Sequence, residues 1–362
     1  MEVRNESIIA PTSYTWSEIQ QQPDLWPSTA ERIRKATREL ALHELPQGAR
    51  VMLTGAGTSA YIASAIAAAW PKAIGVPSTD LLVDTERYLT DVDVLISVGR
   101  SGNSPESLAV VNRVYALRPQ ITQLAITCNS FGALAKSDVV RSVLLDPRTD
   151  DKSLVMTSSF SNLVIAGLCL AQEAAMNQIL PATCDTATAS FGKISDIMKR
   201  VASQVKERLV VLASSPMFAW AQEGSLKSLE MTSGRFPVLA ETYLGLRHGP
   251  MSFVRRDTVV LCLLSNDSRR RRYEIDLVRE LGAKNLGYLV GIGSDLAESD
   301  LFDEVVPAIS PQVADELRTP FEIVAPQLLG YYLSLRIGLD PDNPSDGGII
   351  HRVVQGVRIY EE

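Results

Sequence analysis

The sequence predicts an α/β protein made of two doubly wound parallel sheets in tandem, each a three-layer αβα domain. Three observations carry this. Short, wholly apolar runs alternate with helical stretches, the pattern of parallel strands buried on both faces. The alternation runs once through the first half, pauses over a long helical stretch, and restarts at Leu209. The chain has 362 residues, 46% of them hydrophobic and 21% charged, which suits two soluble domains of about 100–200 residues each.

The elements follow in order. The first 27 residues are polar and carry Pro11, Pro23 and Pro27, so an irregular arm is expected, then a helix capped by Ser28 and running to about His43. Val51-Met-Leu-Thr ends in Gly55 and reads as a buried strand. Ala60 to Trp70 is Ala-rich and helical, and Val94 to Val98 is a second buried strand. Pro105, a first-turn proline, opens a helix to Leu117. Ile121–Thr127 and Val139–Leu145 read as strands, Phe160–Gln178 and Thr186–Glu207 as two long helices bridging the domains. In the second half strands are expected at Leu209–Ala213, Thr258–Leu264 and Leu286–Gly291. Helices are expected at Met217–Thr232, Arg270–Leu281 and Glu316–Ile337. The resulting division is an arm and helix over 1–48, one domain over 49–200, a second over 201–340, and a tail over 341–362.

Composition removes several function classes. Lys and Arg total 35 against 42 Asp and Glu, a net charge of −7, which disfavours a generic nucleic-acid or anionic-membrane surface. No basic segment followed by an apolar core opens the chain, so no signal peptide is expected. No apolar run approaches the roughly 20 residues that span a bilayer. Cys128, Cys169, Cys184 and Cys262 are far apart and read as small core residues in a reducing cytoplasm. With only three histidines (His43, His248 and His351), a His-rich metal site is disfavoured.

Two loops point to a bound anion. Gly55-Ala-Gly-Thr-Ser-Ala60 fits GxGxx(G/A), but Asp80, the best acidic partner for a ribose, would stand at the start of the next strand and not at its end, which weakens a nucleotide reading. Gly99-Arg-Ser-Gly-Asn-Ser104 follows the next clear strand and precedes a helix start. Helix N-termini offer free N–H groups and partial positive charge. Gly57, Thr58 and Ser59 from one loop, with Arg100, Ser101 and Ser104 from the other, could converge on one phosphate monoester; the simpler alternative is serines that only cap their helices. Thr157, Ser158 and Ser159 open a long helix and could bring a third hydroxyl-rich N-terminus to the same pocket. The matching loops of the second half, Ala213–Pro216 and Ser265–Ser268, hold the equivalent strand-to-helix position, so the halves read as weak structural repeats.

Glu223, Lys227 and Glu230 share one helix face. A solvated ion pair is the plain alternative, yet the stripe adjoins apolar Leu226 and Leu229 near the ligand-binding edge. His248 lies on the tight loop Gly245–Pro250. A carboxylate and a histidine suit aldose–ketose proton transfer. The run Arg269–Arg272 reads as a solvated helix start or a subunit contact.

The motifs TWSEIQQQPDLW, LTGAGTSAYI, GRSGNSPES, ITCN, MTSSF, LKSLEMTSG, GLRHGP and HRVVQGV, in this order and over nearly the whole chain, resemble the tandem sugar isomerase (SIS) domain family. The nearest form is the AgaS type, which comprises tagatose-6-phosphate ketose/aldose isomerases and galactosamine-6-phosphate deaminases. The resemblance implies flavodoxin-like domains, a sugar phosphate substrate, no cofactor and no metal. By similarity to the isomerase half of glucosamine-6-phosphate synthase, it implies Glu230 as the proton-transfer base and Lys227 as the helix lysine. His248 would be a ring-opening residue donated by the neighbouring subunit of a homodimer. Three departures stand out. There is no glutaminase domain; the synthase's C-terminal lysine falls near Ile337; and His351 replaces the usual asparagine of the AgaS type. The expected activity is deamination of an amino-hexose 6-phosphate. The alternatives are plain isomerisation, glucosamine-6-phosphate as substrate, or a non-catalytic sugar-phosphate sensor.

Overall fold

The computed structural model describes residues 13–40, 48–294 and 297–360; Pro11 and His43 lie outside the described residues. The chain opens with Tyr14–Gln20 (α1) and Gln22–Glu39 (α2). The irregular arm expected over the first 27 residues is therefore incorrect from Tyr14 onward, as is a helix start at Ser28. Ser13 caps α1 by accepting the Trp16 N–H, and Pro23 stands in the first turn of α2, where no N–H is needed. Pro27 lies inside α2, which continues because Leu25, Trp26 and Ile33 bury one face of it.

The first sheet region comprises Val51–Gly55 (β1), Thr58–Ala69 (α3), Ile74–Pro77 (β2), Ser78–Val83 (α4), Thr85–Tyr88 (α5), Val94–Gly99 (β3), Pro105–Leu117 (α6), Thr122–Thr127 (β4) and Arg141–Leu144 (β5). Ser158–Ala171 (α7) and Glu173–Gln204 (α8) follow, with their break at Gln172; Pro181, near which two separate helices were expected to part, is accommodated inside α8. The second region comprises Leu209–Ala213 (β6), Phe218–Met231 (α9), Val238–Glu241 (β7), Tyr243–Leu246 (α10), Val259–Leu263 (β8), Ser268–Ala283 (α11), Tyr288–Gly293 (β9) and Glu304–Pro307 (β10). The single helix expected over Glu316–Ile337 is a 3-10 turn at Asp315–Leu317, then Thr319–Glu322 (α12) and Val324–Arg336 (α13).

Both sheets are five-stranded and wholly parallel. Their orders are β2-β1-β3-β4-β5 and β10-β9-β8-β6-β7, so each follows the same winding, with the central strand pairs β1–β3 and β6–β8 at the point where the order reverses. A parallel sheet binds ligands at that reversal, beyond the carboxyl ends of its strands. Between the sheets, α2, α3, α7, α8, α9 and α13 pack on one another, and a continuous core joins them to the sheets. The contact of α3 with α9 brings the loop after β1 against the second domain's charged helix.

Candidate active site

β1 and β3 end side by side, and the loops that leave them bound a cavity of about 500 Å³. Gly57, Thr58 and Ser59 line it from one loop, Arg100, Ser101 and Ser104 from the other, and Glu230 from α9. The glycines fit close quarters. A Cβ on Gly55 would lie 2.5 Å from the Ser59 Cβ, so strand and helix could not meet so closely. Gly102 has φ +62° and faces Thr127 Oγ1, conditions a larger residue would meet with strain. Neither α3 nor α6 has a side-chain cap on its first turn, so the simple capping role for these serines does not hold. Ser101 Oγ accepts the Asn103 N–H at 3.2 Å, and Ser104 Oγ donates to Glu106 at 2.7 Å. Two uncapped helix starts facing one cavity can receive an anion through N–H groups and hydroxyls.

The charged stripe of α9 is not a solvated ion pair. Lys227 and Glu223 are fully buried, and Glu230 is 23% exposed at its side chain, on the cavity wall. The Lys227 ammonium donates to Glu230 Oε2 at 2.5 Å and to Thr58 Oγ1 at 3.2 Å, and stands 3.3 Å from Glu223 Oε1. Thr58 Oγ1 donates to Glu223 Oε1 at 3.3 Å, so the first helix of one domain is bonded into the stripe of the other. Burial pushes the Glu223 carboxyl up to about 7 although Lys227 pulls it down. Burial would lower the Lys227 ammonium, but the two carboxylates outweigh it and raise it, so it stays charged. Tyr61, one turn along α3, is raised by desolvation and by Glu223 and Glu230. A carboxylate open to a cavity, braced by a permanently charged lysine, can carry a proton between adjacent carbons and stabilise a neighbouring oxyanion.

Not every expected residue joins this group. Thr157, Ser158 and Ser159 are fully buried and do not reach the cavity. Their backbone N–H groups all donate to Asp151, at 2.8, 3.1 and 2.9 Å, and Ser159 Oγ does so at 2.5 Å. The protein supplies its own anion at that helix start, which is the physical reason this expectation is incorrect. Arg100 lines the cavity but is only 5% exposed, and its guanidinium donates to the carbonyls of Ser153, Leu154, Val155 and Arg352. Its charge reaches the pocket while those bonds tie it to backbone. His248 is exposed and does not line its own chain's cavity. Asp80 lies in α4, just past the carboxyl end of β2, so its expected place at the start of the next strand is incorrect; it does not line the cavity. Arg269–Arg272 opens α11 under the Asp267 cap, with Arg270 paired to Asp315 and Arg271 to Glu298.

The sequence reasoning missed two contributors. Asp151 is one, although an acid shortly before a hydroxyl-rich helix start is itself a capping signal. The tail segment 349–355, His351 included, forms one wall of the cavity. It is fastened by Arg352, whose Nε donates to the Asp151 carbonyl at 2.9 Å and whose Nη2 pairs with Asp150. Among the described residues no helix is long and apolar enough to cross a membrane.

No family model matches the chain. The D-galactosamine-6-phosphate deaminase AgaS of Shewanella sp. (strain ANA-3) is 36% identical to it over 365 aligned residues, 96% of this chain and 92% of the relative. The protein of the same name from Escherichia coli O157:H7 is 33% identical over 98% of each chain. Among solved structures, the tagatose-6-phosphate ketose/aldose isomerase from Escherichia coli superposes with a TM-score of 0.85 at 30% identity, over 97% of each chain. The C-terminal domain of glucosamine-fructose-6-phosphate aminotransferase from Francisella tularensis superposes at 0.80 with 17% identity over 92% of this chain and 99% of its own, and shows the shared fold. Tandem sugar isomerase domains with a carboxylate–lysine pair at their junction define an enzyme of the phosphosugar isomerase and deaminase class. Within that class the chain belongs to the AgaS family.

Proposed function

We propose that this enzyme converts an amino-hexose 6-phosphate, D-galactosamine 6-phosphate, into tagatose 6-phosphate with release of ammonia. The observation that carries this is Glu230, backed by the buried Lys227, opening onto the cavity that the two loops enclose. The names of the relatives agree with it. The phosphate sits against Gly57, Thr58, Ser59, Ser101 and Ser104, with Arg100 contributing charge from behind. Glu230 takes the proton from C2 of the open-chain aldehyde, leaving an enolate whose O1 charge is stabilised by Lys227. O1 is protonated, and Glu230 returns its proton to C1. C2 becomes an iminium; water adds there, ammonia leaves, and the ketone remains. Hexosamine phosphate plus water thus gives ketose phosphate plus ammonia. No step calls on a metal or a nucleotide.

His248 opens the pyranose ring. It is exposed in its own chain, so it acts in the cavity of a second copy, and a homodimer with shared sites is the working unit. Four free cysteines fit a cytoplasmic setting. Glu230→Gln should keep affinity for sugar phosphate yet lose at least about 100-fold in kcat, the usual contribution of a placed base. Near-native turnover would remove Glu230 from the chemistry. Plain ketose–aldose isomerisation would use the same residues, and the name of the Escherichia coli structure favours it; a ketose product without ammonia would decide for it.

A further inference from the structure

Besides Glu223, which braces Lys227, two carboxylates unused by the proposed chemistry are buried beside the cavity, Glu18 on α1 and Asp151. Asp151 serves α7, whereas Glu18 reaches across 134 positions of sequence to the segment 152–155. That segment leads into the cavity wall at Leu154 and Met156. Along one edge, the N–H groups of Lys152 and Ser153 donate to Glu18 Oε1 at 2.5 and 3.3 Å, and Ser153 Oγ donates to Oε2. Along the other, the carbonyls of Ser153, Leu154 and Val155 converge on Arg100 Nη1 at 3.2, 3.1 and 3.2 Å. Arg100 Nη2 meets the Arg352 carbonyl at 2.8 Å, and Arg352 returns its Nε to the Asp151 carbonyl. Three consecutive carbonyl dipoles aimed at one point repel each other. They stay so only with a cation on the oxygen side and an acceptor on the N–H side. Arg100 is the cation and Glu18 the acceptor. Glu18 is not needed to dock α1, because Tyr14 N, Thr15 N and Thr15 Oγ1 already bond to Asp342.

We infer that Glu18 is a positioning residue for the phosphate pocket: by holding segment 152–155 it keeps Arg100 turned onto that segment, and so sets the Gly99–Ser104 loop and the Arg352 strap of the tail around the substrate's phosphate. The inference rests on the cavity being the sugar-phosphate site. The test measures kcat, KM, inhibition by inorganic phosphate and thermal stability for Glu18→Ala, Glu18→Gln, Ser153→Ala and Thr15→Val, with Ser101→Ala in parallel. Glu18→Ala should raise KM and weaken phosphate inhibition by about tenfold, the worth of a buried hydrogen bond, with kcat nearly unchanged. Glu18→Gln keeps an acceptor oxygen and should recover most of that loss. Thr15→Val loosens α1, and Asp342, which Thr15 holds, also accepts the Leu154 N–H through its carbonyl, so the change should lower the melting temperature and raise KM far less than Glu18→Ala does. Should Glu18→Ala fail to fold, Ser153→Ala, which deletes the Oγ bonds to Glu18 and to the Val155 carbonyl, should still raise KM several-fold. If Glu18→Ala, or Ser153→Ala in its place, lowers stability while KM and phosphate inhibition stay at wild-type values, Glu18 is only a structural anchor and the inference is overturned. If Ser101→Ala also leaves both unchanged, the cavity itself has been misassigned.

Discussion

Lys227 holds a full charge away from water, and its neighbours explain how. Two carboxylates and the Thr58 hydroxyl surround the ammonium. Removing one partner of such a buried group leaves the others uncompensated, at a cost of about 3–5 kcal/mol. Lys227→Met should therefore lose stability on that scale in denaturant melts as well as turnover, whereas Glu230→Gln, which keeps an acceptor at the partly exposed partner, should lose turnover and less stability than Lys227→Met. Glu223 adds a pH signature. Its folded carboxyl is raised from 4.5 to about 7, so the folded state holds an extra proton between those values. Its contribution is most favourable below pH 4.5 and is lost as pH rises through 7. Glu223→Gln should flatten the corresponding part of a stability–pH scan; an unchanged slope would mean that Glu223 is ionised there. Asp146 works in the opposite sense. Its pairing with Arg148 holds it down to about 2, so its contribution is present above pH 3.8 and lost as pH falls through 2.

Among elements, the anion loops owe their shape to glycine at the strand ends. Gly55→Ala would drive a methyl into Ser59 and push α3 off β1, costing about 1–3 kcal/mol and raising KM together, as paired denaturant and kinetic measurements would show. The inner strands were legible because they are continuous apolar runs buried on both faces. The missed strands β2, β7 and β10 are four-residue edge strands, each partly exposed, and carry no such run. α1 escaped notice because nearby prolines read as breakers, although a proline in a first helical turn breaks nothing. The stripe on α9 was legible from spacing, but only α3 packed against it reveals that it is buried. Asp151 and Glu18 escaped because their partners are backbone N–H groups distant or unpatterned in sequence.

At the scale of the molecule, two domains of the same winding have unequal fates. In the first, the loops at the strand-order reversal leave two uncapped helix starts around a cavity. In the second, acids of the protein occupy the loop after β8, where the Ser265 N–H donates to Glu274 and the Asn266 N–H to Asp315, while α9 after β6 also starts without a side-chain cap. The repeat was legible in the sequence; the filling of the second copy's β8 loop was not, because it depends on acids supplied from α11 and the Asp315 turn. The second domain contributes α9 and the exposed His248 loop. If His248 serves a neighbouring copy, mixing inactive Glu230→Gln chains with inactive His248→Ala chains should restore up to about a quarter of wild-type activity after random dimer exchange, the share expected when half of the mixed dimers' sites are intact. Recovery of none would confine each site to one chain.

Whether this site deaminates is read from ammonia release by the purified enzyme. Galactosamine 6-phosphate and glucosamine 6-phosphate would be supplied in parallel, with ketose phosphate followed in the same samples. Ammonia and ketose should appear in equal amounts from galactosamine 6-phosphate, and Glu230→Gln should abolish both. Ketose formed from a neutral aldose phosphate, with no ammonia from either amino sugar, would contradict deamination.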